Sequence, residues 1–323
     1  MIFRTELPPL ENLPDFNHSD KVMALGSCFA NNIGERLHHL KWQIQVNPLG
    51  IVYNPMSLFR HLRFLLEAES PDPDHYVKKQ DIWHHLDFHG DLSAPSQEAC
   101  KKNIDKALEQ ARQHLCTSKK MILTLGTAWA FQHLPGNHLV ANNHKLPSKE
   151  FEKILLDPGD IVEAGYSVLT KVKEEYPDLE VLISVSPVRH LANGLIDNNR
   201  SKAVLILAVQ QLTERLEHVH YFPGYELLMD DLRDYRFYAE DLSHPNSLAM
   251  DYIWEYFSEV CLNEQTRDLT TRIEKLHKRL DHRPFYPDTA SHREFVRKTR
   301  EMIQELTRDF PYIQWKQGTE DGG

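Results

Sequence analysis

Two short apolar runs, Met-Ile-Leu-Thr-Leu at 121–125 and Val-Leu-Ile-Ser-Val at 181–185, are too continuous to form one face of a half-solvated strand. A run of that kind is covered on both sides, as in the interior of a parallel sheet. Each ends at a breaker, Gly126 in the first case and Ser186-Pro187 in the second. Around them lie stretches of helical length with apolar residues three and four apart. Residues 29–40 carry Ile33, Leu37 and Leu40, and 97–115 carry Ile104, Leu108, Ala111 and Leu115. Further strands are expected at 21–25, 43–46 and 219–222, and further helices at 57–67, 158–176, 201–217 and 245–260. Strands that alternate with helices predict an α/β fold, a parallel sheet with helices on both faces.

From about 263 the pattern changes. Leu269, Ile273, Leu276 and Leu280 recur at steps of four and three, and after the breaker at 282–288 come Phe295, Met302, Ile303 and Leu306. This predicts a C-terminal helical hairpin whose apolar stripes pack on each other and on the body. The expected division is an α/β domain over 1–262 and a helical extension over 263–323, with 317–323 frayed.

The formal charge of −10 disfavours nucleic acid as a partner. No apolar run is long enough to cross a bilayer. The first residues lack a basic start and an apolar core, so no secretory signal and a cytoplasmic location are expected. The four cysteines, Cys28, Cys100, Cys116 and Cys261, are far apart and read as reduced thiols. Histidine is abundant, 19 in all, and densest in Trp83-His-His-Leu-Asp-Phe-His89. Zinc requires three converging ligands. His85 and His89 would share a helix face, but the alternation of Ile82, Leu86 and Phe88 reads as an edge strand, so no metal is expected. No Gly-rich nucleotide fingerprint is present, and no organic cofactor is expected.

Two segments carry chemistry. Met23-Ala-Leu-Gly-Ser-Cys-Phe-Ala30 reads as strand, tight turn and helix, with Ser27 at the carboxyl end of a strand. That edge is where open α/β sheets bind ligands, and a helix N-terminus there favours a developing oxyanion. Serine is also a common N-cap. Cys28 is a competing nucleophile, since a helix N-terminus lowers a thiol pKa, but one residue beyond the turn it is expected to face the core. The second segment is Asp241-Leu-Ser-His244, followed by Pro245 at a helix start. A carboxylate three residues before an imidazole can fix its tautomer and stabilise the imidazolium.

A Gly-Ser turn after the first strand with Asp-x-x-His after the last is the layout of the SGNH, or GDSL-like, hydrolases. The string Gly26-Ser-Cys-Phe-Ala30 resembles the GSCFA family within that group. Segments similar to the same family are Asn47–Pro55, Leu123–Trp129, Asn143–Pro147, Ser184–His190, Asn199–Ala203 and Tyr235–Tyr238. The resemblance covers roughly residues 20 to 260. It implies a three-layer α/β/α SGNH-hydrolase-like fold and a serine-dependent acyl ester hydrolase acting through an acyl-enzyme, deacetylating a carbohydrate-type or other small-molecule ester. Carried onto this chain, the nucleophile falls on Ser27 and its partners on Asp241 and His244. The oxyanion hole falls on the N–H groups of Ser27 and Gly50. A block-III asparagine is replaced by Ala128, which leaves Thr127, Asn54 and Asn143 as candidate donors. Arg189 and His190, on the same sheet edge, and His144 are candidate substrate contacts. The alternatives are an acyltransferase with the same triad and a non-catalytic ligand-binding protein with this fold.

Overall fold

The computed structural model describes residues 4–67 and 70–315. In chain order the main elements are β1 (Val22–Gly26), α1 (Cys28–His39), β2 (Ile44–Val46), α2 (Pro55–Leu66), β3 (Tyr76–Lys79), β4 (Ile82–His85), α3 (Gln97–Leu115), β5 (Lys120–Leu125), β6 (Trp129–His133), β7 (His138–Val140) and β8 (Phe151–Leu155). They continue with α4 (Pro158–Glu175), β9 (Glu180–Val185), α5 (Gly194–Arg215), β10 (Val219–Tyr221), the short α6 (Gly224–Glu226), α7 (Ser247–Cys261), α8 (Glu264–Leu280) and α9 (Ala290–Asp309).

Five strands form one parallel sheet in the order β10-β9-β5-β1-β2. Alternate residues of the inner strands serve opposite layers, as a strand requires. Met23, Leu25, Met121, Leu123, Ile183 and Val185 face a core shared with α2, α3, α4 and α5. Val22, Ala24, Ile122 and Leu182 face a second core with Phe29, Ile33 and Leu37 of α1 and Ile253, Trp254 and Phe257 of α7. The fold is therefore a three-layer α/β/α sandwich. The chain leaves β1 toward β2, then crosses back over β1 to reach β5. That reversal opens a crevice beyond the carboxyl ends of β1 and β5, the usual ligand position in such sheets.

The expected C-terminal pair is present as α8 and α9. Leu269, Ile273 and Leu276 of α8 and Leu306 of α9 are buried with Leu37, Leu40 and Trp42 from the region of α1. Each such side chain contributes about 1.5–3 kcal/mol by leaving water. The tail 317–323, expected to fray, lies outside the described residues.

Two small antiparallel sheets were not anticipated as sheets. The hairpin β3–β4 lies between α2 and α3, and β7-β6-β8 lies between β5 and α4. Their histidines meet: His75 stacks on His138 with centroids 3.6 Å apart, and His84 on His144 at 4.4 Å.

Candidate active site

The site begins with the tight exit from β1. Gly26 has φ +127°, and a Cβ there would sit 2.1 Å from the Thr124 carbonyl oxygen, so only glycine lets β1 lie this close to β5. Its N–H donates to Asn47 Oδ1 at 2.8 Å. Ser27 follows as the N-cap of α1, and Cys28 is the first residue of the helix.

The structure places Ser27, the expected nucleophile, at this cap. Ser27 is fully buried. Its hydroxyl accepts the Phe29 N–H at 3.3 Å and lies 3.0 Å from Thr124 Oγ1. The Ser27 N–H, proposed for the oxyanion hole, donates to Thr124 Oγ1 at 2.9 Å and to the Thr124 carbonyl at 3.1 Å. In this structure the hydroxyl makes the capping hydrogen bond. Cys28 then turns outward, not into the core. Its Sγ is 3.7 Å from His244 Nε2.

On the far side, His244 Nδ1 donates to Asp241 Oδ2 at 2.6 Å. Asp241 Oδ1 accepts the N–H groups of Ser243 and His244 at 2.9 and 3.0 Å. These backbone donors and the imidazole hold the Asp241 carboxyl down at about 2. With Nδ1 engaged by Asp241, Nε2 is the ring nitrogen turned toward the thiol. The loop is fixed by Ala239 N–H to the His244 carbonyl at 2.8 Å and by a bridge between Tyr238 and Pro245. Leu242, between Asp241 and His244, has the left-handed φ of +54°, an uncommon conformation for a leucine.

Burial pushes the Cys28 thiol pKa up, against the lowering effect of its own N–H, of Lys202 and of the Phe29 N–H. Burial thus favours the thiol form of the resting sulfur. Beneath it, Lys202 of α5 is 1 % exposed, and its Nζ donates to the carbonyls of Gly126 and Ser186 at 2.7 and 2.6 Å. Burial lowers this amine to about 7, opposed by the nearby Cys28. His190 is held down to about 4 by burial, then by Lys202 and His244. Its ring packs edge-on to Tyr53 at 5.5 Å, and its Nε2 has no partner among the described residues.

Arg189 lies on the expected edge. Its N–H donates to the Ser243 carbonyl at 3.1 Å, and its guanidinium covers the rings of Tyr238 and Tyr235 at 4.2 and 5.2 Å. The remaining expected contacts are engaged elsewhere. The Gly50 N–H donates to the Asn47 carbonyl at 2.8 Å, and the positive φ of Gly50 instead admits His89, whose Cβ would clash with any side chain there. Asn54 caps α2 through the Ser57 N–H and donates to the Val140 carbonyl. Thr127 Oγ1 pairs with Ser201 Oγ at 2.9 Å and accepts the Trp129 N–H. Asn143 Oδ1 accepts the Lys145 N–H at 3.1 Å. His144 is buried, with its Nε2 on the His85 carbonyl at 3.0 Å, and belongs to the histidine-rich insert.

That insert contains a set of side chains with metal-ligating atoms. One ligand atom each from His75, His85 and Asp87 lies within 4.8 Å of the others. All are already partnered. Asp87 is bound by Arg60 and by His75 Nδ1 at 2.8 Å, and the Asp87 N–H donates to His85 Nδ1 at 3.2 Å. Burial raises the Asp87 pKa, but the His75 hydrogen bond, Arg60 and His85 outweigh it and hold the carboxyl ionised. Arg60 thus meets the charge of the carboxylate.

The sequence profile of the GSCFA family matches residues 21–257, and that of the GSCFA domain protein C-terminal domain matches residues 273–320. The chain belongs to the GSCFA family. Among solved structures it is similar to an acetyl xylan esterase (Est2A) from the rumen bacterium Butyrivibrio proteoclasticus, with 13 % identity and a TM-score of 0.32 over 66 % of this chain and 57 % of that one. It is also similar to a Clostridium thermocellum family 3 carbohydrate esterase, with 13 % identity and a TM-score of 0.31 over 78 % of this chain and 98 % of that one. No curated protein matched. Among the described residues, no helix of this GSCFA protein is long and apolar enough to cross a membrane.

Lys202 is the site residue that motif reading did not single out. Its signal is periodic. The buried face of α5 runs Asn198, Ser201, Lys202, Leu205, Ala208, Val209 and Leu212, so a lysine stands on an apolar stripe.

Proposed function

We propose that this protein is a cysteine-dependent acyl ester hydrolase with Cys28 as nucleophile, His244 as general base and Asp241 as the group that orients His244. The observation that carries the reading is the alignment of Cys28 Sγ, His244 Nε2, His244 Nδ1 and Asp241 Oδ2, at 3.7 Å and 2.6 Å. In the first step, sulfur attacks the ester carbonyl as its proton passes to Nε2. The imidazolium, stabilised by Asp241, returns that proton to the leaving alcohol. The product is a thioester on Cys28. Water, deprotonated by His244, then releases the acid and restores the thiol. The backbone N–H of Cys28, at the first position of α1, supplies an oxyanion donor along with the helix dipole. The proposed alcohol is of carbohydrate type and the acyl group small. Tyr53 and Tyr235, 39 % and 62 % exposed, offer flat surfaces at the rim for a sugar ring.

The test is chemical trapping. After a brief incubation with p-nitrophenyl acetate, the peptide containing Cys28 is expected to carry one acetyl group that hydroxylamine at neutral pH removes. Acetylated sugars should then turn over with free acetate as product, and acetate appearing on an added sugar acceptor would assign transfer instead. Acetyl found on Ser27, or none on this peptide despite turnover, would overturn the mechanism.

A further inference from the structure

The connection between α8 and α9 puts two aromatic rings into water. Phe285 is 97 % exposed and Tyr286 75 %, more than any other large apolar side chain among the described residues. Pro284 and Pro287 flank them and restrict the backbone on both sides. This end of the hairpin stands clear of the body, since burial stops at Leu276 in α8 and resumes at Thr299 in α9. It is nevertheless closed beneath the rings. Arg279 donates to Thr299 Oγ1 at 2.9 Å and to the Phe295 carbonyl at 3.1 Å, and its guanidinium covers the Phe295 ring at 4.1 Å. Phe295 therefore has its cover within the hairpin, whereas Phe285 and Tyr286 face solvent.

The charge around this tip is opposite to that of the chain. The whole chain has 47 Asp and Glu against 37 Lys and Arg, but residues 275–300 have three against eight. The three are Asp281, Asp288 and Glu294, and Glu294 is already shared by Arg297 and Lys298. Lys278, Arg279, Arg283 and Arg293 have no carboxylate partner among the described residues. Exposed aromatic rings ringed by unpaired cations, on an otherwise acidic molecule, call for a surface that is apolar within and negative at its face.

We propose that the α8–α9 tip docks on an anionic phospholipid bilayer. Phe285 and Tyr286 enter the interfacial layer, where aromatic side chains are favoured. Lys278, Arg279, Arg283 and Arg293 meet the negative headgroups, an attraction that acts within a Debye length of the surface. The acidic remainder of the chain is repelled by the same surface, so the charge asymmetry also sets the orientation, hairpin end first. A second copy of this chain is the other occupant that would cover the rings. Two tips packed on each other would bring like cations together in a self-complementary contact, so the charge favours lipid. The proposal does not depend on the ester chemistry at Cys28.

The experiment is sedimentation of the full chain with sucrose-loaded vesicles, made of phosphatidylcholine alone or with about one third phosphatidylserine. Partitioning should be about tenfold or more stronger on the phosphatidylserine vesicles at about 0.1 M salt and should weaken as salt is raised. Phe285→Ser with Tyr286→Ser should lower it about tenfold or more. The thermal melt should not move, because both rings are exposed and the Thr289 bonds to Tyr286 are made to its backbone carbonyl. Lys278→Gln with Arg283→Gln should remove most of the preference for phosphatidylserine and leave the rings in place. A parent chain that does not sediment with phosphatidylserine vesicles overturns the proposal, as does a serine variant that sediments as well as the parent. A dimer in analytical ultracentrifugation that the serine variant loses, without vesicle binding by the parent, would assign the tip to a second copy and overturn it too.

Discussion

Two of the aspartate–histidine pairs among the described residues are built from the same groups and put to opposite uses. In the insert, His75 Nδ1 meets Asp87 at 2.8 Å inside the protein, with Arg60 on the same carboxylate. At the sheet edge, His244 Nδ1 meets Asp241 at 2.6 Å with both side chains about half exposed. Asp87 saturates its oxygens with charged partners and stacks its histidine on another ring, which makes a clamp. Asp241 spends its oxygens on its own turn and on one imidazole nitrogen. The other nitrogen is left for a thiol. What separates structure from chemistry here is therefore the unspent nitrogen and its neighbour, since residue type and short distance are common to both.

The largest effect expected at the sheet edge is from Cys28→Ala. It should reduce ester turnover by several orders of magnitude, as removal of a triad nucleophile does, with a stability change near the ordinary point-mutant cost of about 1 kcal/mol. Esterase assays beside a thermal melt check both halves. Turnover surviving in Cys28→Ala would break the contrast, because the edge pair would then be no more chemical than the buried one. Asp241→Asn should come next, with turnover reduced on the order of 10⁴-fold, because an amide can hold the wrong tautomer. A stable enzyme of undiminished rate would show that His244 needs no orienting carboxylate.

Asp87→Asn should do the reverse. Removing one partner from a buried charged cluster typically costs 3–5 kcal/mol, read as a fall in the urea midpoint. Rates per folded molecule should remain unchanged. Loss of activity without loss of stability would assign the insert to catalysis.

The sheet and the site were legible to different depths. The continuous apolar runs at 121–125 and 181–185 foretell β5 and β9 because a strand covered on both faces has no polar side. The stripe from Ile104 to Leu115 likewise foretells α3. The strands β6, β7 and β8 were hidden: they are short and largely half-exposed, so their pairing is set by tertiary contact. At the site, Asp241 and His244 were readable because three residues of one turn bring them together. The outward turn of Cys28 was not. It depends on which side of a single turn faces Thr124, and Gly26 permits an approach to β5 that periodicity does not encode.

Acid should find the buried imidazoles before the Asp241 carboxylate. Burial, above all, holds His85 and His144 down at about 4, below the ordinary histidine value of 6.5. The unfolded chain therefore takes up protons first as pH falls. Stability is complete above 6.5 and declines between 6.5 and about 4, by about 1.4 kcal/mol per pH unit for each group. Asp241, at about 2, stays ionised throughout. Urea midpoints at pH 7.5, 5.5 and 4.5 test this, and equal midpoints at 7.5 and 5.5 would show that these imidazoles do not resist protonation.

The smallest expected effect is the most discriminating for the nucleophile. Ser27→Ala removes the hydroxyl that caps α1 by accepting the Phe29 N–H. Such a cap is worth about 1 kcal/mol. The loss should be no larger, because Thr124 Oγ1 retains the N–H of residue 27 as donor, at 2.9 Å, and a methyl group fits where the buried Cβ already lies. Turnover and hydroxylamine-sensitive acetylation of Cys28 should stay within a few-fold of the parent. If Ser27→Ala folds with this small penalty but is inactive while Cys28→Ala works, the hydroxyl must leave Thr124 during the reaction. The edge pair would then serve oxygen, and the sulfur beside His244 would be only a neighbour.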